Sequence, residues 1–275
     1  MITSSVVLYK SKPSEVERII GCALNSIIDK VYVVDNSPTD TLRSMVESLG
    51  HQDKVEYIYG QGNVGYGDGN NIAFEKTLEL KSDYHVVLNP DIIFKPEVIQ
   101  TLRNFMERHQ DVGISTPMLE YIDGSFQASG MLLPTPFTIF GRKFLSAKTV
   151  HKINKEYELL RYDLTVPRNV PNICGCFLFI RVSDLERVGM FDSRYFMYYE
   201  DFDLVRRFHK ITKTVYYPSA KVIHAHNAEH RRNRKLMLLS IRSTIKYFNK
   251  WGWFFDLDRR NWNKAAVTDK SIIKD

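Results

Sequence analysis

Three places in the sequence carry side chains that are suited to act together on a charged substrate. Asp91 follows one strand-like apolar run, His224 follows another, and Asp201 lies in an acidic cluster between them. A carboxylate and an imidazole suit a divalent cation, and a second carboxylate suits a general base. The aromatic residues that precede Asp201 would partly desolvate its carboxylate and raise its pKa, which makes it a better base. These features predict transfer of a group that is carried on a diphosphate.

Each of these residues also has an ordinary structural interpretation. A lone carboxylate after a strand, such as Asp91, usually caps a turn or a helix. Acids like those at 200–203 are also typical of the first turn of a helix, where they interact favourably with the helix dipole. A histidine such as His224 more often makes structural hydrogen bonds than binds a metal. Alternation along a strand places His226 on the same face as His224, so both histidines are candidates for the metal site.

A glycine-rich segment begins at residue 60, where five of ten residues are glycine. Neither the phosphate-binding GxxxxGK[ST] pattern nor the dinucleotide-binding glycine spacing is present. The segment is interpreted either as a flexible turn or as a place where the backbone approaches a nucleotide closely. Asn70 and Asn71 then begin a predicted helix, whose first N–H groups would face a phosphate or a sugar.

Composition and charge restrict the class of protein. The chain has 275 residues, 44% of them hydrophobic and 25% charged, as expected for a folded globular protein of one large or two small domains. Its net charge is +6, and residues 231–264 contain ten Lys and Arg against two acids, which indicates an anionic partner such as a membrane surface or nucleic acid. No signal peptide or membrane-spanning run is apparent. The odd number of cysteines favours a reducing compartment, and we expect Cys174 and Cys176 to be core residues rather than zinc ligands.

The order of apolar patterns predicts an α/β fold with a mostly parallel sheet, in which ligands bind at the carboxyl ends of the strands. Residues 116–170, with several prolines, are expected to form loops. The expected strands are 4–9, 30–34, 55–59, 84–88, 176–181, 214–217 and 221–223, and the expected helices are 13–28, 39–49, 70–80, 95–110, 183–188, 200–210 and a basic segment from about 227.

Seven segments in order resemble family 2 glycosyltransferases with the GT-A fold, and most closely the bacterial rhamnosyltransferase-like branch that builds O-antigen and related polysaccharides. The resemblance implies a Rossmann-like nucleotide-sugar-binding half at 1–100, an acceptor-binding and catalytic half at 101–226, and a basic, aromatic helical segment at 227–275. The matching segments are 33–37, 63–71, 88–91, 175–181, 189–192, 196–204 and 218–224.

The resemblance also implies roles for individual residues. Asp201 matches the catalytic base, with Glu200 beside it. Asp91 matches the last acid of the metal-binding D-x-D element, and His224 matches a histidine that completes the metal site. The first acid of that element is here Asn89, and an amide is a weaker metal ligand than a carboxylate. The residues expected to bind the nucleotide sugar are Asp35, Asn36, Asn63, Gly65, Gly67, Asn70, Asn71, Asn89, Arg181 and Arg207.

The expected activity is inverting transfer of L-rhamnose from dTDP-L-rhamnose, with Mg²⁺ or Mn²⁺, to a polyprenyl-diphosphate-linked or oligosaccharide acceptor. The alternatives are a non-catalytic nucleotide-sugar-binding protein and, less favoured, a nucleic-acid-binding protein. The resemblance implies a cytoplasmic enzyme that is peripheral on the inner face of the bacterial plasma membrane. The C-terminal segment is interpreted either as an ordinary packed helix or as an anchor, with Arg231, Arg232, Arg234 and Lys235 facing anionic lipid and aromatic side chains at the interface. We favour the anchor.

Overall fold

A computed structural model of the chain describes residues 1–141, 145–225 and 234–274. His226, Arg231 and Arg232 therefore lie outside the described residues. The helices are α1 Pro13–Leu24, α2 Arg43–Ser48, α3 Tyr66–Glu79, α4 Glu97–Arg108, α5 Pro136–Phe140, α6 Ala147–Tyr157, α7 Val182–Val188, α8 Glu200–His209, α9 Arg234–Trp251 and α10 Leu257–Ala266. The strands are β1 Ile2–Leu8, β2 Lys30–Asp35, β3 Val55–Tyr59, β4 Tyr84–Leu88, β5 Ile92–Phe94, β6 Val112–Glu120, β7 Phe126–Gln127, β8 Gly130–Met131, β9 Arg168–Asn169, β10 Asn172–Ile173, β11 Phe177–Arg181 and β12 Lys213–His224.

One large sheet has the strand order β3-β2-β1-β4-β11-β6-β12-β5. The first four strands are parallel to one another. Strand β11 runs antiparallel to both β4 and β6, and β12 runs parallel to β6. Strands β4 and β12 therefore point the same way, and their carboxyl ends meet at one edge of the sheet. The amino end of β11 lies at that same edge.

The sheet is covered by helices on both faces, which explains why strands such as β1 and β4 are buried along their whole length. Successive side chains of β4 point to opposite faces, so Val86 and Leu88 join one core with residues of α1, α2 and α4. Val87 joins a second core with residues of α3, α7 and α8. The α/β prediction with a mostly parallel sheet is confirmed. One hydrophobic core contains residues from both predicted halves, 1–100 and 101–226. The division at residue 100 therefore remains a proposal about which half binds the nucleotide sugar and which binds the acceptor.

Some element boundaries differ from the predictions. Helix α3 begins at Tyr66, four residues before the predicted start, because Gly65 adopts a left-handed φ of 94° and forms the N-cap. The two strands predicted at 214–217 and 221–223 form one strand, β12, with an irregular register between them. Residues 116–120 extend β6 rather than forming a loop. Cys174 and Cys176 pack against the core as predicted.

The C-terminal helices pack on the rest of the fold. Tyr247 and Phe248 of α9 are fully buried in an aromatic cluster with Tyr195 and Tyr199. Of the aromatic residues expected at a lipid interface, Tyr247 and Phe248 are therefore excluded, because their rings are enclosed by protein. Phe254 and Phe255, between α9 and α10, are exposed instead. Within the described residues, no helix is both long enough and apolar enough to cross a bilayer.

Candidate active site

The metal-binding candidates lie side by side at the carboxyl edge of the sheet. The pairing of β12 with β5 sets His224 opposite Ile92, and the Ala225 N–H donates to the Asp91 carbonyl oxygen over 2.8 Å. His224 Nε2 consequently lies 3.3 Å from Asp91 Oδ2. The other ring nitrogen, Nδ1, is 3.0 Å from Gln127 Oε1, which orients the imidazole.

The protonation of His224 reflects two opposing effects. Burial disfavours the charged imidazole, but the hydrogen bond with Asp91 and the charge of that carboxylate outweigh burial and raise the pKa of His224. A cation between the two side chains would take the place of this proton, so metal binding and protonation compete. The imidazole is therefore poised to ligate a metal only in its neutral form.

A carboxylate and an imidazole fit Mn²⁺ or Mg²⁺ as two ligands of a larger shell. No cluster of three or more His, Cys, Asp or Glu side chains suited to a metal occurs in the described part of the chain. Asn89, at the first position of the acidic element, instead has its Oδ1 2.8 Å from the Tyr66 hydroxyl. The remaining ligands would thus come from substrate oxygens and water, as is common for Mg²⁺ sites on diphosphates.

The predicted base lies at the start of α8, where two backbone N–H groups hold its carboxylate. Asp201 Oδ2 accepts from the Gly175 N–H and Oδ1 from the Phe202 N–H, both over 2.9 Å. Burial raises the pKa of Asp201 to about 6, against the opposing effect of these hydrogen bonds. The carboxylate is therefore ionised at neutral pH but much more basic than an exposed aspartate.

The backbone that leads into α8 is strained. Tyr198 and Tyr199 have φ angles of 69° and 68°, in the left-handed region that bulky residues rarely adopt. Tyr199 is held there by burial in the aromatic cluster with Tyr195 and Tyr247. Strain of this kind persists only where the surroundings enforce it, and it is frequent at functional sites. Here it fixes the direction in which the chain enters α8, the helix that carries Asp201.

Glu200 is also buried, with 5% of its surface exposed. Its Oε2 has no hydrogen-bond partner among the described residues. Burial and the charge of Asp201 both raise the pKa of Glu200. Glu200 thus places a second buried carboxyl group beside the predicted base.

Tyr66 connects the three parts of the site. Its hydroxyl lies 2.8 Å from Asn89 Oδ1 and 3.0 Å from the Gly175 carbonyl oxygen. Gly175 in turn holds Asp201, and the Asn89 N–H donates to the carbonyl oxygen of Cys176. Hydrogen bonds therefore connect Asn89 and Asp201, which come from distant segments of the sequence, at one edge of the sheet. The sequence interpretation missed Tyr66, whose only signal was its position within the glycine-rich segment.

A cleft of about 380 Å³ opens at this edge. Asn89, Asp91 and Tyr66 line it on one side, and Lys10 and Lys12 from the segment after β1 line it as well. The two lysines were also missed, although they directly follow a buried parallel strand whose end lies at the same edge. Lys12 pairs over 3.3 Å with Glu15, which also lines the cleft, so it is Lys10 that supplies positive charge suited to a diphosphate.

Asp35 and Asn36 lie at the end of β2, at the same edge. Asp35 is buried and accepts hydrogen bonds from the Tyr57 hydroxyl and from the Ser37 N–H. The Asn36 amide donates to the Gly65 carbonyl oxygen over 2.9 Å, which ties the glycine-rich segment to β2. The structure thus brings Asp35, Asn36 and the start of that segment together.

The glycines of this segment allow close packing. A Cβ on Gly65 would come within 2.2 Å of the Phe196 carbonyl oxygen, and one on Gly67 within 3.1 Å of the Phe191 Cβ. The interpretation of this segment as a flexible turn is therefore not supported at these two positions, since both glycines contact the chain that leads to Asp201. Asn63 accepts from the Gly65 N–H over 3.3 Å.

Asn70 and Asn71 lie within α3 rather than at its first N–H groups. Asn70 is fully buried and accepts from the Ser5 hydroxyl over 2.6 Å. Asn71 exchanges two hydrogen bonds with the backbone of Phe191, each 2.9 Å long. Both side chains are used to attach α3 to its neighbours, so the idea that they open a helix towards the ligand is wrong.

Arg181 and Arg207 are not part of the cleft. Because β11 runs antiparallel to β4, Arg181 lies opposite Tyr84 at the other edge of the sheet, where its guanidinium donates to the Met106 and Val112 carbonyl oxygens. Arg207 pairs with Asp203 over 2.9 Å and donates to backbone carbonyl oxygens of 188–190. These contacts give both arginines a structural role.

The chain is similar in sequence to a known family of enzymes. The model of the family described as "Glycosyl transferase family 2" matches residues 6–189. The chain belongs to glycosyl transferase family 2. This glycosyltransferase is 32% identical over 227 residues to "Rhamnosyltransferase WbbL" of Escherichia coli (strain K12), which covers 79% of this chain and 81% of the relative.

A second relative of this glycosyltransferase is the "N-acetylglucosaminyl-diphospho-decaprenol L-rhamnosyltransferase" of Mycobacterium tuberculosis, 31% identical over 206 residues, which is 70% of this chain and 66% of the relative. Two solved structures share its fold. One is GalNAc-T7 with UDP, GalNAc and Mn²⁺ (TM-score 0.69, 13% identity, 91% of this chain and 48% of the other). The other is the mannosyltransferase PcManGT of Pyrobaculum calidifontis with GDP-Man and Mn²⁺ (TM-score 0.58, 14% identity, 90% and 63%). The predictions of a GT-A fold and of a transferase are confirmed.

Proposed function

We propose that this family 2 glycosyltransferase transfers L-rhamnose from dTDP-L-rhamnose to a lipid-linked acceptor, with inversion at the anomeric carbon and with Mg²⁺ or Mn²⁺. The observation that carries the proposal is a hydrogen-bonded link from Asn89 through Tyr66 and Gly175 to Asp201. Asp91, two residues beyond Asn89, is in contact with His224 at the same edge of the sheet. A cation-bound diphosphate and an acceptor hydroxyl would both reach this edge.

The donor would lie along the carboxyl edge, with its nucleotide near Asp35 and Asn36 and its diphosphate near Asp91. Lys10 would add positive charge beside the diphosphate, whereas Lys12 is paired with Glu15. The glycine-rich segment would approach the nucleotide sugar from the side, with Asn63 as its polar side chain. Arg181 and Arg207 have no place in this donor site.

The cation would be held by Asp91 and His224. When bound, it supplies positive charge that stabilises the diphosphate as this group leaves the sugar. Asn89 supports the site indirectly, because its Oδ1 is 2.8 Å from the Tyr66 hydroxyl. This arrangement requires the donor to complete the coordination shell, and we therefore expect cation and donor to bind cooperatively.

Asp201 performs the proton transfer in this proposal. Its carboxylate takes the proton of an acceptor hydroxyl, the hydroxyl oxygen forms a bond to the anomeric carbon, and the bond from that carbon to the diphosphate oxygen breaks. Attack from the side opposite the diphosphate inverts the configuration. The Gly175 and Phe202 N–H groups hold the carboxylate in place while the proton moves.

The relatives support the choice of sugar and acceptor. The two relatives described above are rhamnosyltransferases, and the name of the mycobacterial enzyme specifies an acceptor linked to decaprenol through a diphosphate. We extend these properties to this chain and propose a polyprenyl-diphosphate-linked or oligosaccharide acceptor. Such an acceptor would place the enzyme at the inner face of the bacterial plasma membrane.

A transfer assay with defined donors tests the proposal. Wild-type protein should convert dTDP-L-rhamnose to dTDP in the presence of acceptor and Mn²⁺, and chelation of the metal should abolish this. Asp91→Asn should lose at least about tenfold in the affinity for Mn²⁺, which corresponds to about 1.4 kcal/mol. Asp53→Asn is the matched control, since Asp53 is an exposed carboxylate outside the cleft.

Two outcomes would contradict the proposal. Donor binding without any turnover would indicate a non-catalytic nucleotide-sugar-binding protein. Turnover of another nucleotide sugar in preference to dTDP-L-rhamnose would retain the mechanism but exclude the proposed donor. A thermal-shift series over several nucleotide sugars, with and without Mn²⁺, separates these outcomes because a bound ligand raises the apparent stability.

A further inference from the structure

Three large apolar side chains project from the turn after α9 and from the first residue of α10. Phe254, Phe255 and Leu257, which we call the apolar tip, are 81%, 97% and 74% exposed. Tyr247 and Phe248, only a few residues earlier, are fully buried. The chain thus encloses one set of aromatic rings and presents another to its surroundings, although exposed apolar groups are unfavourable in water.

Several contacts hold the backbone of the apolar tip in a defined conformation. Gly252 turns the chain with a φ of +99°, and a Cβ there would come within 2.6 Å of the Phe255 carbonyl oxygen. Arg259, which is buried, donates to the carbonyl oxygens of Gly252 and Trp253 over 3.2 Å and 2.9 Å. Asp256 caps α10 by accepting from the Arg259 N–H. The exposed rings are therefore held outward by a defined backbone.

Two exposed cations, Arg260 and Lys264, lie close to the apolar tip. Residues 234–264 contain eight Lys and Arg and two acids, Asp256 and Asp258. One of the two acids, Asp256, is buried in an ion pair with Arg206. Arg260 lines an apolar hollow of about 560 Å³ together with the tip residues, and Lys264 is exposed one turn further along α10. Apolar side chains beside exposed cations are the combination that binds an anionic bilayer surface.

The apolar tip is also connected to the helix that carries the base. Arg206 of α8 reaches Asp256 over 2.6 Å, and the Trp251 indole N–H donates to Asp203 of α8 over 2.8 Å. Lys250 adds an ion pair with Asp203 over 2.7 Å. A surface that captures the tip would thereby fix the orientation of α8 and of the cleft relative to that surface.

We propose that the apolar tip inserts into the interfacial region of an anionic bilayer and orients the catalytic cleft towards a membrane-borne acceptor. A bilayer is favoured over a protein partner because the tip consists of only three exposed apolar side chains beside exposed cations, whereas a stable protein interface needs roughly 800 Å² from each partner. The functional consequence rests on the proposed transfer to a lipid-linked acceptor, whereas the insertion itself does not.

Vesicle binding tests the proposal directly. Wild-type protein should co-sediment with vesicles of phosphatidylcholine and phosphatidylglycerol, and weakly with phosphatidylcholine alone. The double variant Phe254→Ser/Phe255→Ser should lose at least about tenfold in partitioning, since two aromatic rings no longer enter the interface. Arg260→Gln/Lys264→Gln should bind several-fold more weakly to the anionic vesicles only.

A matched control removes two exposed apolar side chains elsewhere. Leu80→Ser/Ile211→Ser alters exposed residues on other elements and should partition like the wild type. Circular dichroism and thermal melting should show that the tip variant is folded. Equal vesicle binding by the tip variant and the wild type would overturn the proposal. A wild-type dimer that the tip variant abolishes, without vesicle binding by either, would overturn it in favour of a protein interface.

The activity of the tip variant separates this proposal from the proposed function. Transfer to a water-soluble acceptor analogue should equal that of the wild type, and transfer to acceptor in vesicles should fall. If the wild type transfers no rhamnose, the proposal of dTDP-L-rhamnose as donor is wrong. The vesicle-binding result still decides whether the tip binds a membrane.

Discussion

Gly175 and Asp201 lie so close together that a Cβ on residue 175 would approach the Asp201 Cβ to 2.6 Å. The same glycine donates its N–H to Asp201 Oδ2, and its carbonyl oxygen is 3.0 Å from the Tyr66 hydroxyl. One residue without a side chain thus positions the proposed base and connects it to the metal-binding strand.

Replacement of Gly175 by alanine should displace Asp201. We expect Gly175→Ala to lower kcat by about 10²-fold, because a misplacement of about 1 Å at a reacting group has an effect of this size. The affinity for dTDP-L-rhamnose should change little, since Asp201 faces the acceptor. Initial rates and donor titration calorimetry would measure the two quantities.

The control is Gly21→Ala, in α1, where an added Cβ meets nothing within 4 Å. This variant should keep the wild-type kcat. Wild-type kcat in Gly175→Ala would show that the close packing of residues 175 and 201 has no role in catalysis.

The raised pKa of Asp201 predicts the pH dependence of transfer. The base must be ionised, so kcat/KM should fall as the pH drops through about 6, the value to which burial raises the pKa of Asp201. Well below this pKa, each unit of pH should lower kcat/KM about tenfold. The measurement is kcat/KM at saturating Mn²⁺ from about pH 5 to about pH 8.

Protonation of His224 must be separated from that of Asp201, because the hydrogen bond and charge of Asp91 also raise the pKa of His224. Donor binding with Mn²⁺, measured over the same pH range, reports His224 alone. A kcat/KM that stays constant below pH 6, down to about pH 5, would contradict the assignment of Asp201 as the base.

The presence of most strands was predictable from sequence, but the antiparallel direction of β11 was not. The apolar runs that end at Asp91 and His224 indicated two strands, and the carboxyl ends of parallel strands share an edge. A period of two residues carries no information about direction, so Arg181 was expected in the site although β11 carries it to the opposite edge. The reversal of β11 is also what brings Gly175 to the base.

Other site features depend on contacts between distant segments. Asn70 looks like a ligand-binding residue in sequence, yet the Ser5 hydroxyl of β1 occupies its Oδ1. The left-handed backbone of Tyr198 and Tyr199 is imposed by packing, and no local signal in the sequence predicts it. Tertiary contacts of this kind override local patterns, which explains why these roles were missed or misassigned.

The buried ion pair between Arg206 and Asp256 should contribute to stability. Arg206 and Asp256 are almost completely enclosed, and Arg206 also donates to the Tyr247 hydroxyl over 3.2 Å. Arg206→Met leaves the buried Asp256 carboxylate with the more distant Arg259, 3.7 Å away, so the free energy of unfolding should fall by about 3 kcal/mol, the lower end of the range for a broken buried pair. Urea denaturation would measure this difference.

An exposed pair provides the comparison for Arg206→Met. Arg103 and Glu107 are 2.7 Å apart on α4, and both side chains are largely solvated. Arg103→Met should therefore change the free energy of unfolding by less than about 1 kcal/mol. If Arg103→Met and Arg206→Met lowered the free energy of unfolding by similar amounts, burial of the Arg206–Asp256 pair would make no additional contribution to stability.

Single-turnover kinetics of Asp201→Asn test the account most directly. An amide cannot take the proton from the hydroxyl of the acceptor, so the chemical step should slow by about 10²–10⁴-fold. The variant should bind dTDP-L-rhamnose and Mn²⁺ as the wild type does. Asp53→Asn, with its exposed side chain, should react at the wild-type rate. A near-wild-type rate of sugar transfer by Asp201→Asn would contradict the account.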